Sequence, residues 1–226
     1  MNVLLLVAKA PVPGLVKTRL CPPADPIQAA RIAAAALLDT LAAVRATAST
    51  IPVLAHTGRL ADAESGAELT AALTGWHLIP QRGDTFADRL ANAHADTGKA
   101  FPGRPVLQIG MDTPQVTPAL LTAALERLAE HEAVFGPALD GGWWALGLRD
   151  PAYASVLGDV PMSTADTGRR TLAALRERGV HPAILSVQRD VDDWPTASAV
   201  AADLPGTRFA DAVASVGGQL VSGRLR

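Results

Sequence analysis

The stretch "VLLLVAKAPVPGLVKTRL", residues 3–20, decides how the rest of the chain is read. Its first six residues, Val3 to Ala8, are apolar without alternation. A strand with one face in water alternates. A strand in a parallel sheet is covered on both faces and does not. The run therefore predicts a buried strand of a parallel sheet. Three cations follow, Lys9, Lys17 and Arg19, in a loop broken by Pro11, Pro13 and Gly14 and closed by Pro22 and Pro23. Ligands of open parallel sheets bind beyond the carboxyl ends of the strands, which is where this loop stands.

Working outward, Asp25-Pro26 reads as a helix N-cap with proline at the first helical position. Leu37, Leu38, Leu41 and Val44 follow at helical spacing. Strands are expected at Ile51–Ala55, Trp76–Pro80, Val106–Ile109, Val134–Gly136, Trp143–Leu148 and Ala183–Val187. Helices are expected at Ala61–Leu73, interrupted by Gly66, at Phe86–Lys99 and from Thr117-Pro118 onward. Another begins at Ser163 and Asp166, which have capping-box spacing, and stops at Gly179. Phe209, Val213 and Val216 have the spacing of a terminal helix. Strands alternating with helices predict an α/β fold, with a mostly parallel central sheet, helices on both faces and right-handed crossovers. No linker or fixed-period repeat divides residues 1–226, so one domain is expected, with 205–226 as a C-terminal extension.

The composition excludes several classes. Hydrophobic residues make up 49% of 226, enough for a sizeable core. Lys plus Arg number 20 against 22 Asp plus Glu, so nucleic acid and polybasic membrane binding are not expected. No signal peptide or membrane-spanning length is read in the sequence. With one cysteine, Cys21, no internal disulfide forms, and a reducing cytoplasmic location is expected. Arg19 close by would lower the Cys21 pKa, although an ordinary small loop side chain is the plainer reading. The five histidines lack metal-ligand spacing.

Four segments at strand ends carry the chemistry. The basic loop is neither a Walker A nor a G-x-G-x-x-G motif. Gly14 permits positive φ or close backbone approach. Lys17 and Arg19 are candidate phosphate ligands, Arg as a planar fork and Lys as a point charge. In "IGMDTP", Asp112 reads equally as a Mg²⁺ or Mn²⁺ ligand and as a turn residue. In "RDVDDWP", Asp190 and Asp192 share a side if the backbone is extended. Asp192 is taken as the second metal candidate and Asp193 as a helix cap. In "GPALDGGWWALGL", Asp140-Gly141-Gly142 is either a tight turn or a place where substrate approaches the backbone. In the second case Asp140 is a base, with Gly141, Gly142 and Trp143 against the acceptor. Trp144 then points to the core.

These residues carry a resemblance. The segments "AKAPVPGLVKTRL" (8–20), "GMDTPQVTPALL" (110–121), "GPALDGGWWALGL" (136–148), "VPMSTADTGRRTL" (160–172) and "RDVDDW" (189–194) cover roughly residues 1 to 204 in order. They resemble a bacterial family of GT-A-like nucleotide-diphospho-sugar transferases, or glycosyltransferases of the arsenosugar-cluster type. The pattern is more distantly similar to 2-phospho-lactate guanylyltransferases. The resemblance implies a GT-A-like nucleotide-binding fold with an NTP or nucleotide diphosphate sugar in the cleft, its phosphates near Lys17 and Arg19 and Mg²⁺ or Mn²⁺ near Asp112. With the strand-end readings above, the expected site is Ala8, Lys9, Gly14, Lys17 and Arg19 around the nucleotide, Asp112 and Asp192 on the metal, and Asp140 and Lys17 in catalysis. One departure stands out: the usual glycosyltransferase Asp-x-Asp is reduced here to Asp112 alone in "MDT".

Three functions follow as expectations. The first is a metal-dependent transferase taking a nucleotide-activated sugar to a small-molecule acceptor. The second is a nucleotidylyltransferase that joins NMP from an NTP to a phosphorylated or phosphonylated substrate and releases pyrophosphate. The third is a nucleotide-binding protein without turnover, favoured by the missing second aspartate. A homodimer is a further expectation.

Overall fold

The N-terminal apolar run forms β1 (Asn2–Lys9), and every residue from Val3 to Ala8 is buried. The computed structural model describes residues 1–223, with side chains to residue 217. β1 pairs in parallel with β2 (Thr50–Thr57) on one side and β4 (Val106–Gly110) on the other. Leu4, Leu6 and Ala8 point into one core layer, and Val3, Leu5 and Val7 into the other. The unbroken apolar run is therefore two alternating sets, each burying side chains worth about 1.5–3 kcal/mol apiece.

One layer is covered by α1 (Pro26–Ala46), α2 (Gly66–Ala72) and α4 (Pro118–Glu130). The other is covered by α3 (Phe86–Ala100), the 3-10 segment Pro151–Asp159 and α5 (Thr167–Glu177). The seven-stranded sheet has the order β3-β2-β1-β4-β6-β5-β7 and is mostly parallel. β3 is His77–Pro80, β5 Ala133–Pro137, β6 Trp143–Leu148 and β7 Ala183–Ile184. β6 runs antiparallel to both β4 and β5. The few residues between β5 and β6 are too short for a helical crossover, so the chain returns as a hairpin.

α1 starts with the expected cap: Asp25 accepts from the Gln28 N–H at 2.8 Å, with Pro26 following. By length and composition alone α1 is apolar enough to cross a membrane, contrary to the sequence expectation, but most of it is buried inside the fold. Its outer face packs through Ala29, Ile32 and Ala36 on α6 (Trp194–Ala202) and α7 (Arg208–Gly223). Phe209, Val213 and Val216 make that contact from α7. Of the expected 205–226 extension, residues 224–226 lie outside the described residues.

Three local expectations are corrected. The helix expected over Ala61–Leu73 splits into a 3-10 turn, Leu60–Asp62, and α2 beginning at Gly66. A Cβ at Gly66 would overlap the Leu60 carbonyl oxygen, so this glycine is needed where the two pieces meet. The strand expected over Ala183–Val187 is only Ala183–Ile184, with one further bridge from Ala138 to Gln188. Ser163 and Asp166 form no capping box: Asp166 makes no cap bond and instead pairs with Arg169 at 3.0 Å.

Candidate functional site

At the end of β1 the chain enters the basic loop. Lys9 Nζ donates to the Leu15 carbonyl at 2.9 Å, so this cation braces the loop from within. Gly14 turns the loop at φ 76, and a Cβ there would meet nothing within 4 Å; backbone conformation, not crowding, calls for glycine. Lys17 also has positive φ, 48, which a residue with a side chain rarely adopts. Its side chain is only 10% exposed. Lys17 Nζ lies 2.7 Å from Asp112 Oδ1 and also donates to the Val191 carbonyl. Arg19, exposed, pairs with the exposed carboxylate of Asp192.

The acidic segments meet the loop because the backbone sews them together. The Val191 N–H donates to the Asp112 carbonyl at 2.9 Å, which ties the stretch before α6 to the end of β4. Thr113 Oγ1 donates to Asp190 Oδ1 at 2.9 Å. Burial pushes the Asp190 carboxyl up to about 7; the Thr113 hydroxyl opposes the shift, Asp112 and Asp140 add to it, and Lys17 opposes it. Val191, between the two aspartates, is buried, and Asp192 turns outward to Arg19. Asp193 caps α6, accepting from the Thr196 N–H at 2.9 Å. Among the described residues, no three His, Cys, Asp or Glu side chains form a ready metal cage.

These groups face one cleft of about 670 Å³ over the carboxyl ends of β1, β2 and β4. That is the size of a nucleotide-scale ligand site. Ala8, Lys9, Lys17, Arg19, Asp112, Asp140, Gly142, Trp143 and Asp192 line it. Gly14 and Gly141 do not. Gly141 has φ 89, and a Cβ there would overlap the Ala165 carbonyl, so this glycine is needed where the turn meets the backbone of Ala165. The turn is closed by the Gly142 N–H, which donates to Asp140 Oδ1 at 2.8 Å. Trp144 is core, as expected, and its indole N–H donates to the Ser186 carbonyl at 2.9 Å. The Cys21 thiol pKa is raised by burial and by Asp25, opposite to the effect expected from Arg19.

Residues 40–164 match the family model described as an uncharacterized protein conserved in bacteria, DUF2064. The chain belongs to the DUF2064 family. No curated protein matches it. A protein from Desulfovibrio desulfuricans G20, assigned as a nucleotide-diphospho-sugar transferase, superposes with a TM-score of 0.81 at 23% identity, over 95% of this chain and 94% of that one. Rv0371C from Mycobacterium tuberculosis H37Rv, in complex with manganese, superposes with 0.51 at 20% identity, over 87% and 96%. CMP:2-keto-3-deoxy-manno-octonic acid synthetase, in complex with CTP, superposes with 0.51 at 10% identity, over 88% and 97%. At these identities the likeness concerns the fold, which is that of the nucleotide-diphospho-sugar transferases.

Sequence reasoning passed over three features of this DUF2064 site. Asp190 was set aside for Asp192, because parity along an extended chain cannot tell which aspartate the fold turns inward. Gln81 was not noticed: its amide Nε2 donates to the carbonyls of Ala8 and Ala55, both at 2.9 Å, and ties together the ends of β1 and β2. Gly168 lies inside the stretch for which the sequence predicts only a helix start. Its N–H donates to the Gly141 carbonyl at 2.8 Å, so the first turn of α5 props the Asp140 turn. The shared signal was glycine in both "LDGGW" and "ADTGR", two segments that touch.

Proposed function

We propose that this protein is a metal-dependent transferase that takes a sugar from a nucleotide diphosphate carrier to a small acceptor. The observation that carries the reading is the meeting of the N-terminal cations with carboxylates from three distant segments in one cleft. Lys17 and Arg19 are the groups that would neutralise a departing diphosphate, whose charge grows as the bond to the sugar breaks. The anomeric carbon–oxygen bond to the diphosphate breaks and a bond to the acceptor oxygen forms. The acceptor's hydroxyl proton passes to Asp140, and the nucleoside diphosphate leaves.

A divalent ion fits the donor set. Mg²⁺ and Mn²⁺ take hard oxygen ligands, and Mg²⁺ commonly binds through one or two protein carboxylates plus phosphates and water. Asp112 and Asp190 are the favoured pair: both belong to the inner cluster, and a bound cation would offset the burial that otherwise disfavours the charged form of Asp190. Asp192, turned to Arg19, is better read as the partner that holds that guanidinium. Such an ion would supply Lewis-acid stabilisation of the diphosphate.

A second reading, nucleotidylyl transfer with release of pyrophosphate, draws on one observation. The inner carboxylates come from separate segments, Asp112 and Asp190, rather than from an adjacent Asp-x-Asp pair. One assay separates the two reactions. The protein with Mn²⁺ is given nucleoside diphosphate sugars and NTPs, and release of nucleoside diphosphate is scored against pyrophosphate exchange. Sugar transfer predicts the first signal. Exchange with an NTP would overturn it.

A further inference from the structure

Gln108 is the polar exception in the strand "VLQIG". It is 2% exposed and lies on β4, in register with Leu5 of β1 and Leu146 of β6, both fully buried. In-register residues of neighbouring strands point to the same face, so its nearest neighbours offer it no polar group. Its amide oxygen is buried and without a hydrogen-bond partner among the described residues. Such a group costs stability, and buried polar side chains in folded proteins are otherwise nearly always paired. A leucine or methionine would fill the same space without that cost.

The fold gives this amide one way out. Gln108 lines the cleft together with Trp143, Met162, Val7 and Leu90. The combination is a flat, half-buried indole, a lining of aliphatic side chains and one planar amide. An amide presents a donor and an acceptor side by side, and its terminal torsion turns freely enough to exchange them. A pyranose ring answers both features, because its C–H face lies on an apolar wall while each hydroxyl both donates and accepts.

We infer that Gln108 and Trp143 form the subsite for the sugar ring of the nucleotide-linked donor, with Gln108 hydrogen-bonding ring hydroxyls. The inference rests on the nucleotide-sugar reading above and names the residues that read the sugar.

The test uses the full chain with Mn²⁺ and compares the affinities of UDP-glucose, UDP-N-acetylglucosamine and GDP-mannose with those of UDP and GDP. Wild type should bind at least one sugar nucleotide about tenfold or more tighter than its parent diphosphate. Gln108→Met should erase that gain and leave UDP and GDP binding unchanged. The same variant should unfold about 2–4 °C higher, because an unpaired buried amide has been removed. A gain that persists in a folded Gln108→Met protein overturns the assignment. So does a wild type that binds every sugar nucleotide no better than its diphosphate, although this leaves nucleotide binding itself standing. If neither diphosphates nor sugar nucleotides bind, the underlying reading fails, and the subsite fails with it.

Discussion

Lys17 combines an unfavourable backbone conformation with a nearly buried cation, and it pairs with Asp112. Strain of this kind persists where surrounding structure holds it, and it clusters at functional sites. Lys17→Ala should therefore weaken nucleoside diphosphate binding by about ten- to a hundredfold, the worth of a charge-assisted hydrogen bond. Isothermal titration with UDP and GDP checks this, and unchanged affinity would remove Lys17 from the phosphate site. For Asp190, Asp190→Asn should abolish most Mn²⁺ binding if the ion sits between it and Asp112, whereas Asp192→Asn should leave Mn²⁺ binding largely intact. Electron paramagnetic resonance of free Mn²⁺ reads both. The sequence indicated that Lys17, Arg19 and Asp112 all fall at strand ends. It gave no means of choosing between Asp190 and Asp192, because that depends on Val191 turning into the core and on a backbone bond to Asp112.

The short link between β5 and β6 becomes a hairpin turn, and α5 abuts that turn through Gly168. A Cβ on Gly168 would stand 2.7 Å from the Gly142 carbonyl oxygen and 2.9 Å from that of Gly141. Both are backbone atoms of the turn that carries Asp140, so neither can move aside by a rotamer change. Gly168→Ala should cost about 1–3 kcal/mol. It should appear as a lower urea midpoint with an unchanged slope, and a midpoint equal to wild type would mean that the turn and helix can separate freely. Long elements with strong caps, such as α1 behind Asp25 and Pro26, were legible in the sequence. The short pieces were not. Gly66 looked like a weakness inside a helix, yet it is the point where a helix starts. β7 looked longer than its two residues because apolar residues continue past the place where pairing with β5 stops.

The pH dependence of the whole fold should come from two buried groups acting in opposite directions. His94 on α3 is fully buried, with neither ring nitrogen partnered, and burial lowers its pKa from 6.5 to about 3. The unfolded chain then takes up a proton that the native chain refuses, so stability is lost as pH falls below 6.5. The loss reaches about 2 kcal/mol by pH 5. Asp190 is raised from 3.8 to about 7, so the native chain holds a proton that the unfolded chain has released. Its contribution is complete below pH 4 and is lost as pH rises through 7. Between pH 4 and 6.5 the two slopes oppose each other. Urea unfolding with a chelator present should show a nearly flat wild type over that window. His94→Leu should expose a decline with rising pH, and Asp190→Asn should expose the acid-side loss. Parallel profiles for all three proteins would mean that neither group titrates as its burial requires.

The apolar run before a basic loop, the alternation of strands and helices and the glycine-marked turn follow from local chemistry: side-chain periodicity, caps and backbone permissiveness act over a few residues. They determined the α/β architecture and the end of the sheet at which the loop lies. Which aspartate faces inward, which glycine a neighbouring backbone needs and which buried amide lacks a partner were decided only by tertiary packing. Each depends on atoms contributed by segments far apart in the chain, and no periodicity within one segment encodes what another will place against it.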